Sequence, residues 1–163
     1  MRTDAAGTPL ATITPSGLGP ANIQSAYKLA GLSSGGRTVT IVDPYNDPTA
    51  EAVLATYRAA YGSPACTTAN GCFRKMDQRG GTSYPAKNGG WAQEVSLDLD
   101  MVSATCPDCH ILLVEADSAS FVNLGIAVNR AAQTAGVIAI STTAVETRPT
   151  PPTARTTTTP ASP

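Results

Sequence analysis

Three short runs of β-branched and aliphatic residues constrain this chain most: Thr38 to Asp43, His110 to Glu115 and Val137 to Ser141. Stretches with helical spacing separate them. Pro20 to Ala30 begins at a proline suited to a first helical turn and puts Ile23, Tyr27 and Ala30 on one face, with Gly35-Gly36 as the break. Thr49 to Tyr61 spaces Val53, Leu54 and Tyr57 for one side and stops at Gly62. Trp91 to Thr105 and Phe121 to Ala135 read as two more helices. Strand, helix, strand in this order predicts an α/β fold built on a parallel sheet with helices on both faces. Ser63 to Gly90 reads as one long polar loop holding Cys66, Cys72, Gly80-Gly81 and Gly89-Gly90. A loop of that length is functional or is pinned covalently.

The chain's 163 residues, 42% of them apolar, suffice for one domain with a real core. Only 14% are charged and the net charge is -1, so the basic stripe of a nucleic-acid-binding domain is missing. No apolar run reaches the roughly eighteen residues of a membrane span. Low charge with abundant Gly, Pro, Ser and Thr leans towards an extracellular protein. Met1 to Gly19 has no sustained apolar core and does not read as a secretory signal, so secretion would require a signal already removed. Residues 1–16 are expected to be a disordered leader and 17–141 the domain. Thr142 to Pro163, mostly Thr, Pro, Ala and Arg, buries too little to offset its ordering entropy. It reads as a disordered tail.

Glu94 and Asp98 stand four residues apart, side by side on one helix face. At about 100° per residue, Trp91, Val95, Leu99 and Val102 flank that face on one side, and Leu97 and Met101 on the other. Gln93, Ser96, Asp100 and Ser103 fall on the opposite, wettable side. Two carboxylates inside an apolar arc repel, and burial raises the cost steeply. They can respond by sharing a proton and titrating as a unit, which suits general-base chemistry. The bland alternative is that both reach the helix edge and are solvated, or pair with Arg or Lys.

Cys106-Pro107-Asp108-Cys109-His110 has the spacing of a c-type haem attachment, and its first four residues resemble a glutaredoxin active site. The context opposes both: a helix ends at Cys106 and a strand starts at His110, the reverse of the thioredoxin order. A structural zinc site would need Cys66, Cys72, Cys106 and Cys109 to converge. The favoured reading is two local disulfides, Cys66 with Cys72 and Cys106 with Cys109, in an oxidising compartment. His110 is the only histidine and sits at a strand edge, so serine chemistry here would need a carboxylate base.

The run Gly90-Trp91-Ala92-Gln93-Glu94-Val95-Ser96-Leu97-Asp98-Leu99-Asp100-Met101 resembles the catalytic-helix motif of the sedolisin family, the serine-carboxyl peptidases related to subtilisin. So does its continuation from Ala104 through Cys106-Pro107-Asp108-Cys109 to Ala116. Gly17 to Tyr27 resembles the start of that family's mature catalytic domain, and Thr38 to Pro48 its first core strand and turn. The resemblance covers Gly17 to Ser141. It implies a subtilisin-like α/β fold and serine-type, acid-acting endopeptidase chemistry on a polypeptide substrate. By the same resemblance Glu94 is the general base for a serine nucleophile, Asp98 orients and supports it, and Asp43 matches an acidic residue hydrogen-bonded to that glutamate. Calcium is implied for the full-length family domain, at a site beyond the residues matched here.

The family's later motifs do not occur after Ser141. Its nucleophile lies in a Gly-Thr-Ser motif before a buried helix, and its oxyanion residue in a Gly-Asp-Ser-Gly-like stretch. Gly81-Thr82-Ser83 lies upstream in the polar loop and is followed by Tyr84-Pro85, a poor entry to a buried helix, so Ser83 reads as a decoy. Thr156 to Ala161, read one base earlier, permits Tyr, Asn, His, Pro and Gly, residues the family uses at this stage. Thr142 to Pro163 is therefore expected to be a frameshifted reading. The expectation is a truncated peptidase domain, incomplete as a fold, lacking the nucleophile and inactive alone. The alternative is a secreted, non-catalytic α/β binding module with an incidental carboxylate pair.

Overall fold

The structure is a computed structural model and describes residues 17–143. The leader 1–16 and the tail from residue 144 onward, with the expected disorder and frameshift, lie outside the described residues. Their boundary falls two residues later than the sequence suggests, because Thr142 ends a strand and Thr143 is hydrogen-bonded into the fold.

β1, Thr38–Pro44, takes a central position because its run of Ile41, Val42 and neighbours is buried on both faces, as a parallel strand between helices must be. β3, His110–Ala116, lies beside it with Asp43 opposite Glu115, and β4, Val137–Thr142, pairs with the other edge of β1. The fourth strand, β2, Phe73–Asp77, joins β3. All pairings are parallel and the order is β2-β3-β1-β4.

β2 corrects the sequence reading, which left Ser63 to Gly90 without structure. Its pattern Phe-Arg-Lys-Met-Asp hides a strand because Lys75 and Asp77 stand where apolar residues are expected. Lys75 is tolerated there by Glu115 on β3, with Nζ 3.0 Å from Oε1.

Helices cover both faces. α2, Ala50–Ala60, and α3, Gly89–Thr105, pack on one side, where Leu54, Val95 and Leu99 meet Ile41, Phe73, Ile111 and Leu113. α4, Phe121–Ala132, covers the other, where Leu124, Ala127 and Ala131 meet Val42, Leu112 and Val114. α1, Pro20–Ala26, is shorter than expected. It stops before a backbone reversal at Lys28, φ 55°, and leaves Tyr27 74% exposed rather than on a packed face. It is held to α3 by Gln24, whose amide donates to Ala104 O at 2.8 Å.

The four cysteines pair locally, Cys66 with Cys72 and Cys106 with Cys109. Cys72 immediately precedes β2 and Cys109 immediately precedes β3, so both bonds sit at the amino-terminal end of the sheet. Both sulfurs of the haem-like or redox-like spacing are thus spent on a structural link. No helix among the described residues is long and apolar enough to cross a membrane.

Candidate active site

The carboxyl ends of β1 and β3 are a topological switch point, the place where a sheet of this order forms a crevice, because the chain leaves β1 towards α2 on one face and β3 towards α4 on the other. Such crevices are where open α/β sheets take their ligands. Asp43 and Glu115 stand there, register partners in adjacent strands and both fully buried. Parallel partners share a face. Here it is the face of Ile41 and Leu113, under α3.

Asp43 is held by one hydrogen bond, from the Thr143 hydroxyl to Oδ1 at 2.9 Å. Its Oδ2 is buried with no partner. Burial pushes its carboxyl up to about 7, Thr143 opposes this, and the charges of Asp98, Glu94 and Glu115 add to the rise.

α3 brings the helical carboxylates over the same strand end. Asn88 starts the helix, its side-chain oxygen accepting from Gly90 N at 3.0 Å and Trp91 N at 3.2 Å. One turn on, Glu94 and Asp98 are both half-buried, on the edge of the arc formed by Val95 and Leu99. Asp98 is raised by burial and then by Glu94, with Thr143 again opposing. Neither carboxylate forms an ion pair with an Arg or Lys among the described residues, so the pairing alternative is not the one adopted. The three residues singled out from the sequence, Asp43, Glu94 and Asp98, come together.

The helical wheel is wrong in two respects. Leu97 and Met101 are 51% and 36% exposed instead of flanking the carboxylates in the core. Ser103 and Asp100, assigned to water, turn towards α2. Ser103 is buried and accepts from Arg58 Nη1 at 2.7 Å. Asp100 has Oδ1 buried without a partner, and burial pushes its carboxyl up to about 7. The neighbouring Tyr57 hydroxyl is pushed up to about 12, by burial first and the Asp100 charge second. The reason is α2 itself, which packs along that side of α3.

A second polar group gathers where the ends of β2 and β3 meet the turn after β1. Glu115 Oε1 accepts from Asp47 N at 2.8 Å and faces Lys75, whose ammonium also donates to Asn46 Oδ1 at 2.6 Å and Asp47 O at 2.8 Å. Burial raises Glu115, the Asp47 backbone N–H and the Lys75 ammonium oppose the rise, and the Asp47 charge adds to it. Nothing in local spacing pointed to this network, since its members come from three separate segments.

Ser83 lies in the turn after β2, where its backbone N–H donates to Asp77 Oδ2 at 2.9 Å. Among the described residues its hydroxyl has no hydrogen bond to Glu94 or Asp98. His110 opens β3 at the far end of the sheet, exposed and near Gly36. The one group of potential metal donors that the described residues gather is Cys106, Asp108 and Cys109. It does not suit a calcium ion: both sulfurs are oxidised, and Asp108 Oδ2 is occupied by Ser33 Oγ and Ser34 N, each at 2.7 Å. No metal-dependent step is assigned to these residues.

No protein-family model, curated protein or solved structure matches this chain.

Proposed function

We propose that this chain carries the acid/base half of a serine-carboxyl peptidase site, of the kind found in sedolisins, and that it is inactive alone because it lacks the nucleophile. The observation that carries this reading is that α3 packs on β1 and brings Glu94 and Asp98 close enough to Asp43 for their charges to act on it. In that role Glu94 takes the proton of an incoming serine hydroxyl, and Asp98, one turn along, orients and supports Glu94 by sharing a proton with it. Asp43, a neutral acid through the acidic range, lies beneath them without adding a third negative charge. The two disulfides fit an oxidising compartment, and we place the protein outside the cell.

The oxidised chain is expected neither to cleave a denatured protein in acid nor to react with a fluorophosphonate serine probe. The side-chain carboxyl of Asp98, followed by carbon-13 NMR, is expected to titrate at lower pH in Glu94→Gln. An Asp98 titration indifferent to Glu94→Gln defeats the coupled base. Robust cleavage abolished by Glu94→Gln defeats the truncation.

A further inference from the structure

Tyr45 is one of two non-glycine residues with positive φ among those described, at 66°, the other being Lys28 far from the carboxylates. A bulky residue in the left-handed region is strained and persists only where its surroundings over-determine it. They do so here. Tyr45 N donates to Ala116 O at 2.8 Å, Asn46 N to Ala86 O at 3.1 Å, and the Asn46 side chain is fixed by Lys75. The reversal delivers the Tyr45 ring to Trp91, with centroids 6.5 Å apart and planes tilted by 41°. That spacing suits an aromatic pair.

Both rings remain half-exposed, and their position is specific. Tyr45 is two residues past Asp43, and Trp91 precedes Glu94 by one helical turn, on its side of α3. The pair therefore borders the carboxylate site. Access over the helix start is open: a Cβ added at Gly89 would meet nothing within 4 Å, and one at Gly90 only Asn88 Oδ1 at 3.4 Å. Lys75 is seated over the Tyr84 ring, 4.4 Å from its centroid, and not over this pair.

We propose that Tyr45 and Trp91 form a subsite for an apolar or aromatic side chain of a polypeptide bound across the carboxylates. The ligand class rests on the peptidase reading; the aromatic surface does not. Two rings offer a large apolar area at small entropic cost, which is how aromatic side chains anchor peptides.

Trp91 is the only tryptophan in the chain, so its emission reports this site directly. The oxidised chain is titrated in mild acid with four capped tetrapeptides that differ only in one central residue: Phe, Leu, Glu or Lys. The Phe and Leu peptides are expected to give a saturable emission change, with the Glu and Lys peptides about tenfold weaker. Tyr45→Gly removes the ring and relaxes the backbone, so it folds, and is expected to weaken the Phe peptide about tenfold. Tyr45→Phe is expected to retain it. No saturable change, equal response to all four peptides, preference for Lys, or wild-type binding by Tyr45→Gly would each overturn the subsite. Failure of the peptidase reading would show instead in the Asp98 titration, which this measurement leaves untouched.

Discussion

Thr143 donates its hydroxyl hydrogen to Asp43 Oδ1 across 2.9 Å, tying the last described residue to the end of the first strand. Because Asp43 Oδ2 has no partner, this is the only hydrogen bond that its carboxyl accepts among the described residues. Thr143→Val keeps the shape and removes the donor. It is expected to cost about 1–3 kcal/mol in urea unfolding near neutral pH. It is also expected to move the Asp43 titration further up, since the interaction opposing burial is gone.

Asp43 and Asp100 both have carboxyls raised from 3.8 to about 7, so the folded chain holds protons that the unfolded chain releases. Between these values the native state binds more protons, and stability falls as pH rises. The chain is expected to be most stable near the ordinary carboxylate range and to weaken steadily towards neutrality. The fully buried Asp43 contributes a slope approaching about 1.4 kcal/mol per pH unit. Thermal unfolding as a function of pH checks this. Asp43→Asn and Asp100→Asn are each expected to flatten the curve, and a melting temperature rising from acid to neutral pH would contradict it.

Arg58 is buried without a carboxylate, its guanidinium donating to Pro64 O, Ser103 Oγ and Pro107 O. It joins α2, α3 and the turn between Cys106 and Cys109. Arg58→Met is expected to cost about 2 kcal/mol, because the buried Ser103 hydroxyl and two part-buried carbonyls lose their donor at once. Arg58→Lys, with one compact head group in place of the planar fork, is expected to recover only part of it. Chemical denaturation of the oxidised chains measures both.

The disulfides close short loops, with separations of 6 and 3 residues. Replacing Cys66 and Cys72 together by alanine is expected to cost about 2 kcal/mol, and replacing Cys106 and Cys109 slightly less, following loop length. Because all four cysteines are paired, alkylation without reductant is expected to add no mass. Intact mass spectrometry and urea unfolding read the two outcomes.

The strands legible in the sequence are β1, β3 and β4, each marked by a short run of β-branched and aliphatic residues, even though Asp43 and Glu115 interrupt the first two. β2 escaped because Lys75 is neutralised by Glu115, forty positions later, and no local window contains both. The cysteine pairing was legible for the opposite reason: short separations make local closure the cheapest arrangement. On α3 the wheel put Glu94 and Asp98 inside an apolar arc, whereas Leu97 and Met101 are exposed and the two carboxylates lie at its edge. It misplaced Asp100 because it knew nothing of α2, whose Tyr57 lies alongside. Thr143 was lost in a Thr/Pro-rich stretch whose composition resembles a linker, although its hydroxyl completes the environment of Asp43. Tyr45 carried no sequence signal, since a left-handed tyrosine follows from tertiary contacts around it.

Among the described residues β4 pairs on one side with β1 and has no strand on the other. A strand adding there in parallel would end next to Thr143, at the same rim of the sheet as Asp43. Enlarging the sheet and deepening the acid crevice are therefore one geometric event.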